Sequence, residues 1–365
     1  MKIESISIQH FKLFNQLEVS FKHKTLEEVS DQFLILGDNG TGKTTLLQAI
    51  ALPLALATKQ IERIAEFDWP GFLSERFWKW GIPRIQLEMS FVDEEIEATC
   101  EMAKQWYDAQ PEDFKSEQPF VEPSDYHSIQ VSLTSHHWKI GHNTHAERFQ
   151  FQGRYYAQQL LLWSAASVRP FFSKLPGIFW FDQYRNLVSN ADNRQDTFDA
   201  NGQSFSKQSI GRLREYLIER KRQQELGIAP NDDLMTIEQH YQTIFAGRTF
   251  SGLEMMPSLE SPMAEQCFFV LNDGEHTYDI VEMSAGEQSI FPILYEFVQQ
   301  QIAYSVVLID EVDLNLHPPA AQSLLRQLLK ISPTCQFILT THGEAVSDVI
   351  SGNETLRLPG GSLCL

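Results

Sequence analysis

The sequence predicts an α/β fold with a mostly parallel sheet, a flanking antiparallel β-subdomain and a helical insertion, and three observations carry that expectation. Residues 33–36 form an apolar run that ends in a glycine-rich turn and continues into a helical stretch over residues 44–57, giving strand, loop and helix in succession. From Phe268 onward the pattern reads strand, helix, strand, helix and strand, ending at Leu339, which is how a mostly parallel sheet is built. Residues 3–21, 84–92 and 127–133 alternate polar with apolar side chains, as half-exposed antiparallel strands do.

Along the chain, Ile6, Ile8, Leu17, Val19 and Phe21 mark two strands joined at a turn over residues 12–15. Residues 59–80 are rich in Trp and Phe, and a polar, proline-containing insertion near residues 107–125 separates the later alternating segments. Helical spacing returns over residues 155–167, and residues 177–181 form a short strand. Residues 189–206 are polar and read as a linker, and residues 209–226 read as one charged helix ending at Gly227. The expected organisation is a first lobe over 1–187 that includes an insertion over about 59–150, a linker and helical insertion over 188–267, and a second lobe over 268–365. No internal repeat and no sustained heptad pattern is present.

With 365 residues, 42% of them apolar, the chain can bury a large core and is not disordered. The formal charge of -19 disfavours nonspecific attraction to nucleic acid or anionic lipid, so any DNA contact has to come from a local basic patch. Cys100, Cys267, Cys335 and Cys364 form no C-x-x-C pair, which suggests neither a zinc site nor a disulfide framework and fits a reducing cytoplasm. No stretch reaches the roughly 20 apolar residues of a membrane span, so a soluble, cytoplasmic protein without a membrane partner is expected.

Five segments carry chemistry. GDNGTGKT, residues 37–44, matches G-x-x-x-x-G-K-[ST], a loop that offers backbone N–H groups to phosphate at a helix start. Asn39 and Gly40 shape the turn, Lys43 reaches the β- and γ-phosphates, and the Thr44 hydroxyl holds magnesium; Thr41, Gly42 and Thr45 complete the nucleotide-binding set. VVLIDEVD, residues 306–313, is a buried strand delivering two carboxylates, with Asp310 expected to hold magnesium through water and Glu311 to polarise the attacking water. MSAGEQ, residues 283–288, precedes a helical run. Alone it reads equally well as a capping box of Ser284 with Glu287 or as an anion site built on Ser284 and the amides around Gly286. QFILTTH, residues 336–342, ends a strand in His342, placed to contact a γ-phosphate or orient the water near Glu311, although a lone His there is usually only a satisfied polar residue. IFWFDQYRNL, residues 178–187, ends a strand at Asp182 and Gln183, and the Gln183 side-chain oxygen suits magnesium or water, although taken alone the segment reads more readily as a plain strand-end turn.

In this order the five segments resemble the Walker A, Q-loop, signature, Walker B with D-loop and H-loop elements of the ABC ATPase superfamily. Within it the chain is most similar to the SMC, RecF and OLD-like branch. ISIQHFKLFNQLEVSF followed by ILGDNGTGKTTLLQAIA looks like that branch's amino-terminal strands and phosphate loop, which implies that Lys12 lies near the nucleotide phosphates. The resemblance covers residues 1–56, 178–187 and 281–350 well. Two departures stand out: the signature reads SAGEQ, and His317 occupies the place where many relatives carry a D-loop aspartate.

The resemblance implies an ATPase that converts ATP and water to ADP and phosphate, with ATP and Mg2+ sandwiched in a homodimer where Ser284, Gly286 and Gln288 of one copy complete the site of the other. About one hundred residues lie between Gln183 and Ser284, which at roughly 1.5 Å of helical rise per residue leaves no room for the long coiled coils of SMC proteins. A Toprim nuclease of the OLD type is not expected either. The leading functional expectation is therefore an ATPase regulating a separate effector, with a nuclease as one candidate, as in bacterial defence systems whose ABC ATPase subunit this chain resembles. A RecF-like DNA-binding ATPase of recombination or repair is the alternative, with Arg220, Lys221 and Arg222 as its compact basic cluster. A transporter subunit is disfavoured by the SMC-like amino-terminal strands.

Overall fold

The computed structural model describes residues 1–163, 166–183, 205–227, 232–257 and 265–359. Residues 184–187 of the Q-loop segment, most of the expected linker and Cys364 lie outside them. The chain divides into two compact units, Met1–Gln183 with Gln301–Val312 and Leu328–Leu365, and Tyr184–Gln300 with Asp313–Gln327. The strands are β1 (Lys2–Phe11), β2 (Phe14–Ser20), β3 (Gln32–Leu36), β4 (Arg84–Ser90), β5 (Ser128–Thr134), β6 (His137–Ile140), β7 (Ile178–Phe181), β8 (Thr249–Pro257), β9 (Glu265–Asn272), β10 (Thr277–Asp279), β11 (Val306–Ile309), β12 (Gln336–Thr341) and β13 (Thr355–Arg357). The helices are α1 (Lys43–Ala57), α2 (Asp93–Asp108), α3 (Glu112–Glu117), α4 (His145–Phe149), α5 (Gly153–Leu162), α6 (Phe205–Glu225), α7 (Asp232–Ile244), α8 (Ala285–Gln299), α9 (Pro318–Ile331) and α10 (Glu344–Ser347).

In the first unit an antiparallel sheet of order β2-β1-β4-β5-β6 and a parallel sheet of order β13-β3-β12-β11-β7 enclose α1. Alternation places Ile85, Leu87 and Met89 of β4 inward. In β1 the buried residues are Ile3, Ile6, Ile8 and Phe11, and a register shift between Ile3 and Ser5 keeps the three isoleucines on the inner face. The runs QFLIL, VVLI and QFILTT of β3, β11 and β12 are buried throughout, as strands of a parallel sheet covered on both faces must be. α1 is apolar on every side, and all its residues except Thr44 are buried, so it serves as the shared core of both sheets.

Several expectations need correction. The Trp- and Phe-rich residues 59–80 carry two 3-10 turns, and Phe67, Phe72 and Trp69 cluster with Trp180 of β7 through edge contacts and stacking. The antiparallel sheet includes β1 and β2, in agreement with the alternation over residues 3–21. The expected polar insertion is flanked by α2, whose buried Ala98, Met102 and Ala103 pack with Tyr156, Ala157 and Leu160 of α5. α5 ends at Leu162 rather than near residue 167, and a 3-10 segment, Ala166–Ser173, follows.

The strand beginning the carboxyl-terminal pattern also differs. β9 does not enter the parallel sheet but lies between β8 and β10 in an antiparallel sheet of the second unit, because its partners are hairpin neighbours with no crossover between them. The parallel sheet takes β11, β12 and then β13, which pairs with β3 at the far edge. In the second unit α6 packs on β9, and α7 packs on α8 through Tyr241, whose ring meets the edge of Phe291 at 5.5 Å. Among the described residues no helix is long and apolar enough to cross a membrane.

Candidate functional site

Because β3, β7, β11 and β12 run parallel, the residues that follow them emerge at one edge of the sheet, where ligands of open α/β sheets bind. β3 leads into the glycine loop, β11 into Asp310 and Glu311, β12 into His342, and β7 into Asp182 and Gln183.

In the loop, Gly40 and Gly42 have φ of 81° and 101°, a left-handed backbone that side-chain-bearing residues rarely adopt. A Cβ on Gly42 would also stand 2.7 Å from Phe14 Cζ, so this position is closed to other residues on two counts. Gly42 immediately precedes α1 without a side-chain cap, leaving the first-turn amides of Lys43, Thr44 and Thr45 and the positive helix end for an anion. The buried Lys43 ammonium spans the loop, donating to the carbonyls of Gly37 at 2.7 Å and Asp38 at 3.1 Å. Thr41 braces the turn by donating its hydroxyl to the Asp38 carbonyl at 2.9 Å. Asn39 and Gly40 are exposed at the tip, whereas the Thr45 side chain is buried, so only its backbone can serve a ligand.

The loop and β11 are joined directly. Thr44 Oγ1 donates to Asp310 Oδ2 at 2.7 Å, and Thr340 Oγ1 donates to Asp310 Oδ1 at 2.6 Å. The same Thr340 oxygen accepts the backbone N–H of Glu311 at 2.8 Å. Asp310 is 1% exposed, and its two carboxylate oxygens are engaged by hydroxyls from α1 and β12. Glu311 turns the chain with φ of 48°, an unusual backbone for glutamate that is held by the Thr340 bond and by Val312 N–H donating to the Thr340 carbonyl at 2.9 Å.

The remaining residues of this unit are placed as follows. Lys12, also at positive φ, donates its ammonium to Gln48 Oε1 at 2.7 Å and to the Gly71 carbonyl at 2.8 Å, and burial lowers its pKa below the ordinary lysine range. Gln48 stands one helical turn beyond Thr44 on α1 and donates to the Pro70 carbonyl at 3.2 Å, so Lys12 ties the β1–β2 turn to the phosphate-loop helix. His342 is exposed one residue beyond β12, and Gln183 is half-buried two residues beyond β7.

In the second unit Ser284 is the N-cap of α8. Its hydroxyl donates to Glu287 Oε2 at 2.6 Å, and the Glu287 N–H points back to it at 3.4 Å, so the capping box forms. A Cβ on Gly286 would lie 3.0 Å from the Asn315 carbonyl oxygen and 3.3 Å from Leu316 Cδ2, so a small residue lets the D-loop segment approach the helix start. Gln288 donates its amide to the Met283 carbonyl at 2.8 Å. His317 is exposed, and its carbonyl accepts the N–H groups of Ala320 and Ala321 at the start of α9. Arg220 of the basic cluster pairs with Asp233 at 3.3 Å and bonds Tyr216, and Lys221 bonds Gln224.

Two site residues were not foreseen from the sequence. Thr340, which orients Asp310 and Glu311, was signalled only by hydroxyl residues at the end of an otherwise apolar strand. Gln48, the partner of Lys12, was signalled by a polar residue on a helix apolar all round. Among the described residues no cluster of three or more His, Cys, Asp or Glu is arranged to hold a metal by protein ligands alone. The donor set is instead one hydroxyl and one carboxylate, both oxygen, beside a loop that glycines keep open, and it fits a magnesium ion bound together with a triphosphate.

A glycine loop between a buried strand and a buried helix, with an Asp–Glu pair on a parallel strand of the same sheet, defines a P-loop ATPase. Residues 130–348 match the family described as "AAA domain, putative AbiEii toxin, Type IV TA system", and residues 1–134 match the "AAA ATPase domain" family. The chain belongs to this AAA ATPase family and is an ATPase. It is 21% identical over 393 residues to Retron Vc95 probable ATPase of Vibrio cholerae serotype O1 biovar El Tor, covering 97% of this chain and 73% of that protein. It is 22% identical over 350 residues to Septu protein PtuA of Bacillus mycoides (strain KBAB4), covering 93% of this chain and only 38% of that protein. In fold it is similar to an SMC head solved bound to the C-winged helix domain of ScpA, with a TM-score of 0.51 and 13% identity over 96% of this chain and 92% of that one.

Proposed function

We propose that this ATPase is an ABC-type head of the SMC and RecF-like branch that closes as a homodimer around Mg-ATP and uses hydrolysis to control a separate effector in bacterial defence. The observation that carries the hydrolytic part is the chain of hydrogen bonds Thr44–Asp310–Thr340–Glu311, which ties the start of the phosphate-loop helix to the backbone of the proposed water-activating residue. The first unit acts as the nucleotide lobe and the second as the signature lobe.

In this mechanism the amides of residues 40–45 and the Lys43 ammonium take the place of water around the β- and γ-phosphates. Thr44 and Asp310 would hold a magnesium ion, which would supply charge neutralisation for the triphosphate. Glu311 orients a water and takes up its proton as the water oxygen bonds to the γ-phosphorus and the bond to the ADP oxygen breaks. His342 and Gln183 flank the γ-phosphate side, and Ser284 with the amides near Gly286 on the second copy donates to the same phosphate. Lys12 acts on the phosphates through the phosphate-loop helix, by its bond to Gln48.

The likeness to a retron ATPase and a Septu protein supports a role in defence beside an effector, for which a nuclease is one candidate. The engagement of Arg220 and Lys221 inside their own unit, with the net charge of -19, weighs against DNA as the principal partner. The Glu311→Gln variant provides the test: it should bind ATP, accumulate as a dimer by light scattering, and capture its effector when purified from the native host. A variant that hydrolyses ATP at the parental rate, or that stays monomeric with saturating Mg-ATP, would overturn the proposal.

A further inference from the structure

Behind Ser284 lies a carboxylate, Glu287, that is 2% exposed and placed where it should repel an anion at the start of α8. Its surroundings counter that charge. Oε1 accepts the hydroxyl of Tyr241 in a short bond and that of Tyr278 at 2.7 Å, and it pairs with Arg248 Nε at 3.3 Å. Oε2 accepts the Ser284 backbone N–H at 2.9 Å and the Ser284 hydroxyl at 2.6 Å. Arg248 also donates to Tyr278 OH at 2.9 Å and lies over its ring, which makes the phenol a better donor to the carboxylate. Three sequence-distant positions, in α7, in the segment after it and in β10, thus converge on one residue of the signature segment.

The hydrogen-bond inventory of Ser284 sets the problem this cluster solves. A serine hydroxyl has one proton, and here Glu287 holds it. To donate to a phosphate oxygen, Ser284 has to withdraw that proton from Glu287, and a buried carboxylate that loses a donor without replacement costs free energy. Glu287 keeps four other donors when the hydroxyl turns away: Tyr241, Tyr278, Arg248 and the Ser284 N–H.

We infer that Tyr241, Tyr278 and Arg248 are positioning residues for Ser284, holding Glu287 charged but saturated so that the serine hydroxyl is free to swing onto a phosphate oxygen. This role rests on the proposed placement of Ser284 at the γ-phosphate of a second copy. Removing a phenol hydroxyl takes one of these donors from Glu287, which then holds the serine proton more strongly and keeps Ser284 turned inward. The consequence falls on turnover and dimer closure, and the binding of nucleotide to the glycine loop of one copy is spared.

A double-mutant cycle on the full chain tests this, with steady-state ATP hydrolysis, fluorescent-nucleotide affinity and thermal unfolding read for each variant. Ser284→Ala should lower kcat at least tenfold. Tyr278→Phe and Tyr241→Phe should each lower kcat several-fold at unchanged nucleotide affinity, and Tyr278→Phe in the Ser284→Ala background should cost nothing further. If the tyrosine loss multiplies with the serine loss, or if neither tyrosine variant loses turnover, the positioning role is overturned while the signature assignment stands. If Ser284→Ala retains full turnover, the placement of Ser284 at the phosphate is itself refuted.

Discussion

Thr340 shows how much one hydroxyl can organise. It donates to Asp310, accepts from the backbone of Glu311 and sits fully buried, so it fixes both acidic residues with one oxygen. Thr340→Val keeps the shape but takes one hydrogen bond from the Asp310 carboxylate and one from the Glu311 N–H, each at a cost of about 1–3 kcal/mol. The expected result is an ATP turnover reduced by about tenfold or more, since roughly 1.4 kcal/mol is tenfold in rate, together with a higher magnesium requirement. Hydrolysis titrated against magnesium measures both, and a parental curve would show that Thr340 does not set the geometry of Asp310. Glu311 itself belongs to the same scale, because its left-handed backbone aims its side chain and the Thr340 bond holds that backbone.

At the scale of elements, the unit that matters is β3, the loop and α1. The strand is buried by its apolar run, the helix by its apolar surface on all sides, and the loop between them can close only through left-handed residues. Gly42→Ala meets both a φ of 101° and the ring of Phe14 2.7 Å away. The left-handed backbone alone costs about 1–2 kcal/mol. Calorimetric titration should show ATP affinity falling by an order of magnitude or more in this variant, with melting lowered only modestly because the core of α1 is unchanged. An unchanged affinity would mean that the loop adapts around the new methyl group. The sheets teach a related lesson: β9 reads as part of the parallel pattern in sequence, yet short connections to β8 and β10 send it into an antiparallel hairpin of another unit.

At the scale of the whole molecule, net charge bears on the proposed dimer. Each of the two copies carries -19, so their long-range repulsion opposes the proposed dimer and is screened by salt. Sedimentation of Glu311→Gln with Mg-ATP should therefore show dimerisation strengthening as salt rises from low to physiological levels. Binding to nucleic acid would respond in the opposite sense, through release of counterions. A dimer that weakens steadily with added salt would show that local ion pairs, rather than net charge, control the association.

The phosphate loop, the Asp310–Glu311 pair and the capping box of Ser284 with Glu287 were legible in the sequence, because each is written in neighbouring residues whose glycine positions, apolar runs and three-residue spacing act locally. So were β1, β2, β3, α1, β7 and β11. The tertiary structure alone decided that Thr340 holds Asp310, that Lys12 grips Gln48, and that Tyr241, Tyr278 and Arg248 surround Glu287. Those contacts join residues far apart along the chain, and which of them meet is set by strand order, register and packing, which no local pattern encodes.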